Sequence, residues 1–592
     1  MTQPLPQTWD LDVFFPGGSA SPEFDAFLAS LRDDIASLQA RVAGQGTPRT
    51  AAAALATSFK TMQELSQRLQ EAAAFTACLV ARDVKDSKAY LLDGRVEELG
   101  AGLRGINILL NQALQKMPDA AWAAFQADPI VQPIAFVVRE RRDWAKELLP
   151  TEQEGLANAL SADGYHAWGK LYDTITGRIT VTYEHGGETH RQTPSQAFNR
   201  WMFSPNRAER AAAFGGWEPA WGDAADLCAR ALNHAGGFRL ALYRARGWES
   251  VLKEPLHENR IGAASLEAMW DVIDRNKAPL VAFLQRKAQL IGAPALHWYD
   301  LYSPLPAAEH KLDYDAGAAF VLENFGRFSP GMADLTYKAF HERWVEAENR
   351  PNKGAGAYCT TFGLTGEPRV FMTYDGNVTT LAHELGHAYH AWVVRDLAPL
   401  AADYTSALAE TASNFAETIV AEAAIAAAQN PAERRALLLE RCTAAVAHFM
   451  NLPARFHFEL DFFAARRSGP LSVGELDGLM LAAQQKAYGN ALAGYEPHFW
   501  ASKLHFYLTG QPFYNFPYVI GYLFSSGIYA RAQAEGPRFA HTYVELLRDM
   551  GRMTTEQLVA KHLGADLTRP DFWQSAVDRA LAPVQEFLRV TA

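Results

Sequence analysis

The segment His383-Glu384-Leu385-Gly386-His387 has two histidines and a glutamate at a spacing that suits metal-dependent hydrolysis. On a helix, residues four apart project from one face about one turn apart, so both imidazoles can bind one ion. Glu384 follows the first histidine and lies on the flank of that face, where it can reach a zinc-bound water. The segment predicts a zinc site in which His383 and His387 are ligands and Glu384 is the general base.

A helical wheel tests whether such a helix can present its histidines to a cleft. At about 100° per residue, an apolar stripe and a histidine stripe fall on opposite sides. The apolar stripe is Leu381, Leu385, Ala388 and Trp392, and the histidine stripe is His383, His387 and His390. The alternative is that the histidines face bulk solvent, but a solvent-exposed face would not require a glutamate directly after the first histidine. We expect a cleft on the histidine side, with His390 too far along the helix to be favoured as a ligand.

A catalytic zinc ion usually has three protein ligands, so the third must come from another segment. The segment 406–417 is predicted to be helical and carries one polar face, formed by Glu410, Ser413, Asn414 and Glu417. A buried carboxylate needs a partner, and a metal with its histidines would be one. Glu410 is therefore a candidate ligand and Glu417 a candidate orienter of a ligand histidine. A solvated stripe on an amphipathic helix fits the same spacing, and the residues alone leave both interpretations open.

The elements that position these residues are mostly helical. Long stretches rich in Ala, Leu, Glu and Arg predict helices over residues 22–44, 51–83, 87–117, 263–291 and 430–467. Ile175–Tyr183, followed by Gly186-Gly187, predicts one arm of a hairpin, and Arg369–Tyr374 predicts a short strand beside residues 357–360. The predicted fold class is mainly α with a small β-sheet. A boundary near residue 190 would separate an N-terminal helical domain, 1–190, from a catalytic domain, 191–592.

Composition limits the other classes of function. The net charge of −11 argues against nucleic acid as the main partner. The four cysteines are far apart without CxxC spacing, which argues against a disulfide framework or a cysteine zinc site. The first residues lack the pattern of a secretory signal, and no apolar run reaches about 18 residues. We therefore expect a cytoplasmic protein that neither spans nor binds a membrane.

Six motifs occur in order along nearly the whole chain. They are Trp9-Asp10-Leu11-Asp12 with Phe15-Pro16, Ser204-Pro205-Asn206-Arg207 with Arg210, Tyr299-Asp300-Leu301-Tyr302, Lys353 to Cys359, Thr380 to His390, and Ala409 to Phe415 with Glu417. Together they resemble the M3 family of zinc metallopeptidases and, within it, the oligoendopeptidase F group, although Asn206 replaces the usual Asp. The resemblance implies that Glu410 is the third zinc ligand. It also implies a helical two-lobed ellipsoid with a deep substrate channel and the zincin-type HExxH helix at the channel floor.

Residues 500–522, WASKLHFYLTGQPFYNFPYVIGY, resemble a segment of the same group whose His and Tyr side chains reach the substrate. The match makes His505, Tyr514 and Tyr518 candidate catalytic residues. Phe516 stands where the family often has Tyr and cannot donate a hydrogen bond, so the donor to the oxyanion is expected among those three. An aromatic-rich core turn is the alternative for any single tyrosine.

The motifs and the resemblance together predict a zinc-dependent endopeptidase that hydrolyses short oligopeptides. It would hold one Zn²⁺ ion, and short peptides would be its partners, because the channel implied by the family excludes folded proteins. The strand Arg369–Tyr374 would bind the substrate backbone by adding it as an extra strand. A metallocarboxypeptidase with a similar HExxH is a second interpretation. A non-catalytic peptide-binding scaffold with a structural zinc is a third. It is disfavoured because the general-base glutamate is present and structural zinc usually has four protein ligands.

Overall fold

The first third of the chain is helical, and its three longest helices pack against one another. The structure, a computed structural model, describes residues 4–44, 52–305 and 312–592. The helices of this part are α1 (Pro22–Gly44), α2 (Ala52–Arg82), α3 (Ser87–Lys116), α4 (Asp119–Ala127), α5 (Ala135–Ala145), α6 (Thr151–Ser161) and α7 (Ala167–Thr176). The helices predicted over 22–44, 51–83 and 87–117 are confirmed, with residue 51 outside the described residues.

A β-hairpin follows α7. Strands β1 (Val181–His185) and β2 (Glu188–Gln192) are antiparallel, with Val181 opposite Gln192. Gly186 and Gly187 join them with φ of 64° and 80°, the left-handed pair that a tight two-residue turn requires. The predicted hairpin is confirmed, but its predicted start at Ile175 is wrong. Tyr172 and Ile175, three residues apart, are both buried on one face of α7, so the helical periodicity continues to that point.

The remaining helices form most of the molecule. They are α8 (Pro194–Phe203), α9 (Arg207–Ala245), α10 (Lys253–Glu258), α11 (Ala263–Arg275), α12 (Ala278–Leu290), α13 (Tyr314–Phe328), α14 (Pro330–His341), α15 (Val378–Val394), α16 (Pro399–Ala402), α17 (Ser406–Ala409), α18 (Thr411–Ala427), α19 (Pro431–Val446), α20 (Leu452–Arg466), α21 (Val473–Ala487), α22 (Phe499–Ser502), α23 (Phe516–Glu535), α24 (Phe539–Asp549), α25 (Thr555–Leu563) and α26 (Pro570–Thr591). The single helix predicted over 263–291 is wrong, because Pro279 in the first turn of α12 has no N–H to continue α11. The helix predicted over 430–467 is interrupted by a π-helical turn, Ala447–Asn451, before Pro453 in the first turn of α20.

A three-stranded sheet lies beside α15. Its strands are β3 (Val345–Glu346), β4 (Tyr358–Thr361) and β5 (Pro368–Phe371), in the order β3-β5-β4. Strand β5 runs parallel to β3 and antiparallel to β4, with Tyr358 opposite Phe371. The predicted pairing of these two segments is confirmed. All four residues of β5 are buried, whereas β4 is a half-buried edge strand.

The apolar core falls into three clusters. Two smaller ones, around Phe59 and Phe75, hold the N-terminal helices together. The largest extends on both sides of residue 190 and includes Tyr172 and Trp201. The predicted fold class, mainly α with a small sheet, is confirmed, and the domain boundary near residue 190 stays a prediction.

Two helical segments of the N-terminal part, Asp119–Ala127 and Gln132–Ala145, together reach the length and apolar composition of a membrane span, but the chain bends by 107° between them. Taken one at a time, no helix in the described part of the chain is long and apolar enough to cross a membrane.

Gly386 lets α15 and α18 approach closely. A Cβ atom at Gly386 would lie 2.7 Å from the carbonyl oxygen of Ala412 and 2.7 Å from the Cα of Ser413. Backbone atoms cannot give way as the end of a side chain can, so only glycine fits between the two helices. This contact brings the histidines of α15 next to the start of α18.

Gly386→Ala is therefore expected to lower the free energy of unfolding by about 1–3 kcal/mol, the usual cost of overpacking a core. Urea denaturation followed by circular dichroism measures the change. Gly478→Ala is the matched control, because Gly478 is exposed within α21 and a Cβ there would meet nothing within 4 Å. That control should gain up to about 1 kcal/mol. Equal stability of the two variants would contradict the close helix contact.

Candidate metal centre

Side chains from α15 and from the link between α17 and α18 converge on one point. The Nε2 atoms of His383 and His387 lie 3.3 and 3.5 Å from Oε2 of Glu410. One nitrogen of each histidine and one oxygen of Glu410 all lie within 4.8 Å of one another. The helical prediction for 406–417 is confirmed except at Glu410: α17 ends at Ala409, Glu410 has φ −84° and ψ 2°, and α18 begins at Thr411. The break turns the Glu410 carboxylate toward the histidines.

The start of α15 is fixed by Asn377. Its side chain accepts hydrogen bonds from the backbone N–H groups of Thr379 and Thr380, which would otherwise lack partners at the helix N-terminus. Leu381 and Leu385 are buried as the wheel predicts, and the two histidines remain about one quarter exposed. The apolar side of the helix therefore packs into the core, and its histidine side is accessible at His383 and His387.

His390 does not share that opening, so its predicted place on the cleft side is wrong. The residue is fully buried, its ring stacks on Tyr404 at 4.1 Å, and its Nε2 lies 3.3 Å from the carbonyl oxygen of Leu547. Tyr404 and the end of α24 cover the helix one turn beyond His387. Burial lowers the pKa of His390 to about 3, so this imidazole is neutral.

Glu417 contacts His383 on the side away from Glu410, where a residue that orients a candidate ligand is expected. Its Oε2 lies 3.3 Å from Nδ1 of His383, the nitrogen that points away from Glu410. Arg441 of α19 donates from Nη1 to Oε1 of Glu417 at 3.3 Å and from Nη2 to Thr418 at 3.3 Å. Sequence reasoning missed Arg441, although the residues three and four positions away from it in the helix are all Leu or Ala, and a charge on such an apolar face signals a buried partner. The chain Arg441–Glu417–His383 orients the imidazole.

The charges of the ligand residues depend on one another. Burial lowers the pKa of His383, but its hydrogen bonds to Glu410 and Glu417 outweigh burial and raise the pKa to about 10. Burial raises the pKa of Glu410, whereas His383 and His387 hold it well below its usual range. Glu410 is therefore ionised, and its carboxylate favours a positive charge at the point where the three side chains meet.

The donor set fits a zinc ion. Tetrahedral ligands about 2.0–2.2 Å from zinc lie about 3.3–3.5 Å apart, which is the separation of Glu410 Oε2 from each histidine nitrogen. Two imidazoles and one carboxylate leave a fourth position free, as catalytic zinc sites do.

Glu384 lies beside the ligands without being one of the three convergent donors. Its side chain is 5% exposed, and its Oε2 atom is buried with no hydrogen-bond partner among the described residues. Burial raises the pKa of Glu384, while His383 and His387 oppose the shift. A buried carboxylate oxygen without a partner has a substantial desolvation cost.

His505, Tyr514 and Tyr518 form an aromatic cluster next to the metal ligands. Ring centroids are 5.7 Å apart for His505–Tyr514, 4.9 Å for Tyr514–Tyr518 and 6.0 Å for His505–Tyr518. All three side chains are half-buried. Helix α23, which carries Tyr518, packs on the Glu410 link, because a Cβ at Gly521 would lie 3.2 Å from the Cβ of Glu410.

His505 and Phe516 belong to the same segment as the two tyrosines. The charge of His505 and the location of Phe516 limit the roles that these two residues can have. Burial, together with Arg455 and Lys503, lowers the pKa of His505 to about 3, so this imidazole is neutral. Phe516 is fully buried and its ring packs 6.1 Å from that of Phe456, in the core rather than in the cluster. His505, Tyr514 and Tyr518 stay the candidate hydrogen-bond donors of this segment.

A mainly helical fold in which an HExxH helix meets a glutamate from a second segment has the arrangement that metal-dependent peptidases use. The profile of Peptidase family M3 matches residues 200–579, and a second profile, described as Oligopeptidase F, matches residues 114–180. The chain belongs to peptidase family M3, a family of metallopeptidases, and this membership implies a bound metal ion.

Individual relatives agree with this assignment. An oligoendopeptidase F homolog of Lactococcus lactis is 25% identical over 345 residues, which are 56% of this chain and 56% of the relative. Oligopeptidase PepF of Bacillus subtilis is 24% identical over 432 residues, 70% of this chain and 63% of PepF. The matches thus span less than two thirds of the length of these relatives.

Two solved structures share the fold. A candidate peptidase from Chlamydophila abortus superimposes with a TM-score of 0.81 at 18% identity, over 99% of this chain and 98% of the other. Oligoendopeptidase-F of Enterococcus faecium superimposes with a TM-score of 0.69 at 18% identity, over 96% of this chain and 98% of the other. These likenesses extend the fold assignment to nearly the whole chain.

Proposed function

We propose that this protein is a zinc-dependent endopeptidase that hydrolyses short oligopeptides. The observation that carries the proposal is the convergence of His383 Nε2, His387 Nε2 and Glu410 Oε2 beside the unpartnered carboxylate oxygen of Glu384. Two imidazoles and one ionised carboxylate suit zinc, and a carboxylate oxygen without a partner beside them suits proton transfer.

The roles of the residues follow from their positions. When bound, zinc lowers the pKa of a coordinated water to about 7 and polarises a carbonyl oxygen. Glu384 then serves as the general base: it accepts a proton from the attacking water and delivers that proton to the leaving amine. Glu417 and Arg441 hold His383 in the orientation that directs Nε2 toward the ligand point.

A donor from the aromatic cluster completes the site. The tetrahedral intermediate carries negative charge on the former carbonyl oxygen, and a preorganised O–H or N–H stabilises that charge. His505, Tyr514 and Tyr518 are the candidates, since Phe516 lies in the core. Loss of one such donor typically lowers the rate about 10²–10³-fold.

The sheet offers a place for the substrate backbone, but not on the strand that the sequence suggested. Arg369–Tyr374 is the strand that the sequence predicts for an added peptide; β5, which overlaps the first part of that segment, has β3 and β4 on its two sides and is fully buried. Strand β4 is at an edge of the sheet beside α15 and is half-exposed. An extended peptide would therefore add to β4 by main-chain hydrogen bonds.

The class of substrate follows from the relatives, which are named oligoendopeptidases and oligopeptidases. We extend this to the present chain as hydrolysis of short peptides within a channel that folded proteins cannot enter. A cytoplasmic location, and the absence of nucleic-acid and membrane partners, stay predictions.

A metallocarboxypeptidase is the second candidate, and a pair of matched peptides separates the two. One peptide carries an acetylated N-terminus and an amidated C-terminus, and the other has free ends. We expect internal cleavage of both, detected by mass spectrometry, that a zinc chelator abolishes and added zinc restores. Stepwise loss of C-terminal residues from the free peptide alone would replace the proposal with the carboxypeptidase. A folded protein containing the same sequence in a structured element should not be cleaved.

A further inference from the structure

A single buried carboxylate accepts hydrogen bonds from both chain neighbours of Tyr514, from the backbone of one and the side chain of the other. Glu459, on α20, is 7% exposed. Its Oε1 accepts a hydrogen bond from the backbone N–H of Phe513 at 3.1 Å, and its Oε2 accepts one from Nδ2 of Asn515 at 2.6 Å. Phe513 and Asn515 are the two neighbours of Tyr514 in the chain, and both are buried.

The two hydrogen bonds to Glu459 hold Phe513 in an unusual backbone conformation. Phe513 has φ 54°, in the left-handed region that a bulky residue adopts only when its surroundings require it. The backbone N–H of Asn515 donates to the carbonyl oxygen of Phe513 at 2.7 Å. Oδ1 of Asn515 accepts from the N–H of Phe516 at 2.5 Å and so caps α23. Tyr514 is therefore presented from a tight turn whose two ends are fixed by Glu459 and by the cap of α23.

We infer that Glu459 is a positioning residue for the reaction: it fixes the turn Phe513–Asn515 and thereby directs Tyr514 into the aromatic cluster of the site. This inference rests on the proposed function, because it matters only if Tyr514 acts on the substrate. Glu459 itself does not touch the reacting atoms. A displacement of about 1 Å in a catalytic group can lower a rate about 100-fold, so a fixed turn at this point has a large effect on the reaction.

Glutamine cannot replace Glu459 in this role. Its amide has one acceptor oxygen, whereas the turn supplies two donors, the N–H of Phe513 and Nδ2 of Asn515. The Asn515 amide could rotate so that its oxygen accepts from the glutamine amide. Nδ2 of Asn515 would then face the N–H of Phe516, and the cap of α23 would be lost. One hydrogen bond of the turn is therefore lost in either arrangement.

Burial raises the pKa of Glu459 to about 8, although Arg239 and the two donated hydrogen bonds oppose the shift. The assays are therefore run above this pKa, where Glu459 is ionised and both of its oxygens accept.

The test is a double-mutant cycle of Glu459→Gln with Tyr514→Phe, using the doubly blocked peptide and the zinc-loaded full chain. Tyr514→Phe alone should lower kcat about 100-fold, as the loss of one oxyanion donor does. Glu459→Gln alone should lower kcat about 10-fold with KM changed less than about twofold, because it misplaces a donor used in the transition state. In the Tyr514→Phe background, Glu459→Gln should lower kcat less than about twofold, since the group it positions is already gone.

Asp461→Asn, an acid-to-amide change on the exposed side of the same helix, is the control and should leave kcat unchanged. If Glu459→Gln fails to fold, Asn515→Ala takes its place in the same cycle. Wild-type kcat in the Glu459 variant, or an equal loss in both backgrounds, would overturn the inference while zinc-dependent internal cleavage still stands. If Tyr514→Phe has no effect, the donor role of Tyr514 and the inference both fail. If no chain cleaves the peptide, the proposed function itself fails.

Discussion

Glu384→Gln should reduce kcat about 10²–10⁴-fold while leaving the zinc content of the protein unchanged. Glutamine has nearly the shape of glutamate but cannot accept the proton of the attacking water. Glu384 is not among the three convergent donors, so its replacement leaves the donor set intact. Rates on the doubly blocked peptide and zinc per chain after dialysis measure the two parts of this prediction.

Glu384→Asp is the matched control, since it keeps the carboxylate on a side chain that is one methylene shorter. Its rate should fall between those of the wild type and the glutamine variant, because general-base catalysis depends on both the proton acceptor and its distance. A glutamine variant with one zinc per chain and near wild-type turnover would rule out Glu384 as the base.

Glu410→Ala should weaken zinc binding more than about 100-fold, beyond the 10–100-fold loss typical of residues that only orient a ligand. The substitution removes one of three donors and the negative charge that favours a cation at the site. Because the Glu410 side chain is 32% exposed, its truncation leaves no closed cavity, and the variant should fold. Competition with a fluorescent zinc chelator measures the affinity.

Comparison of Glu417→Gln with Glu410→Ala distinguishes a residue that only orients a ligand from a residue that binds zinc. Glu417 contacts Nδ1 of His383 rather than the ligand point, so its loss should weaken zinc binding by only about 10–100-fold. Activity should then return at saturating zinc, which Glu410→Ala should not show. Wild-type zinc affinity in the Glu410 variant would remove this residue from the ligand set.

The sequence predicted the helices and the histidine pair because both depend on spacing along one element. It could not place Glu410, since the residues fitted a ligand and a solvated stripe equally well. The deciding feature is a break in the helix at Glu410, held where Gly386 lets α15 meet α18. Such a contact between distant segments has no signature in the periodicity of either one.

Other differences between the predictions from sequence and the structure also arise from contacts between separate segments of the chain. The sequence indicated two paired strands, but only the order β3-β5-β4 places β4 at an edge, and of the two edge strands β4 is the half-exposed one that we propose for an added peptide. The wheel placed His390 with the other histidines, yet Tyr404, from a different part of the chain, covers it. Glu459 stands out in the sequence only as an acid between Phe458 and Leu460 in α20, a pattern that signals a buried partner without naming it.

Zinc titration of the metal-stripped wild-type protein tests the central claim most directly. The chain is freed of metal with a chelator, zinc is added back in steps, and internal cleavage of the doubly blocked peptide is recorded at each step. The proposed site predicts no cleavage without metal and a rise that reaches its plateau at one zinc ion per chain. Full cleavage by the metal-free protein, or a plateau unrelated to one zinc at His383, His387 and Glu410, would contradict it.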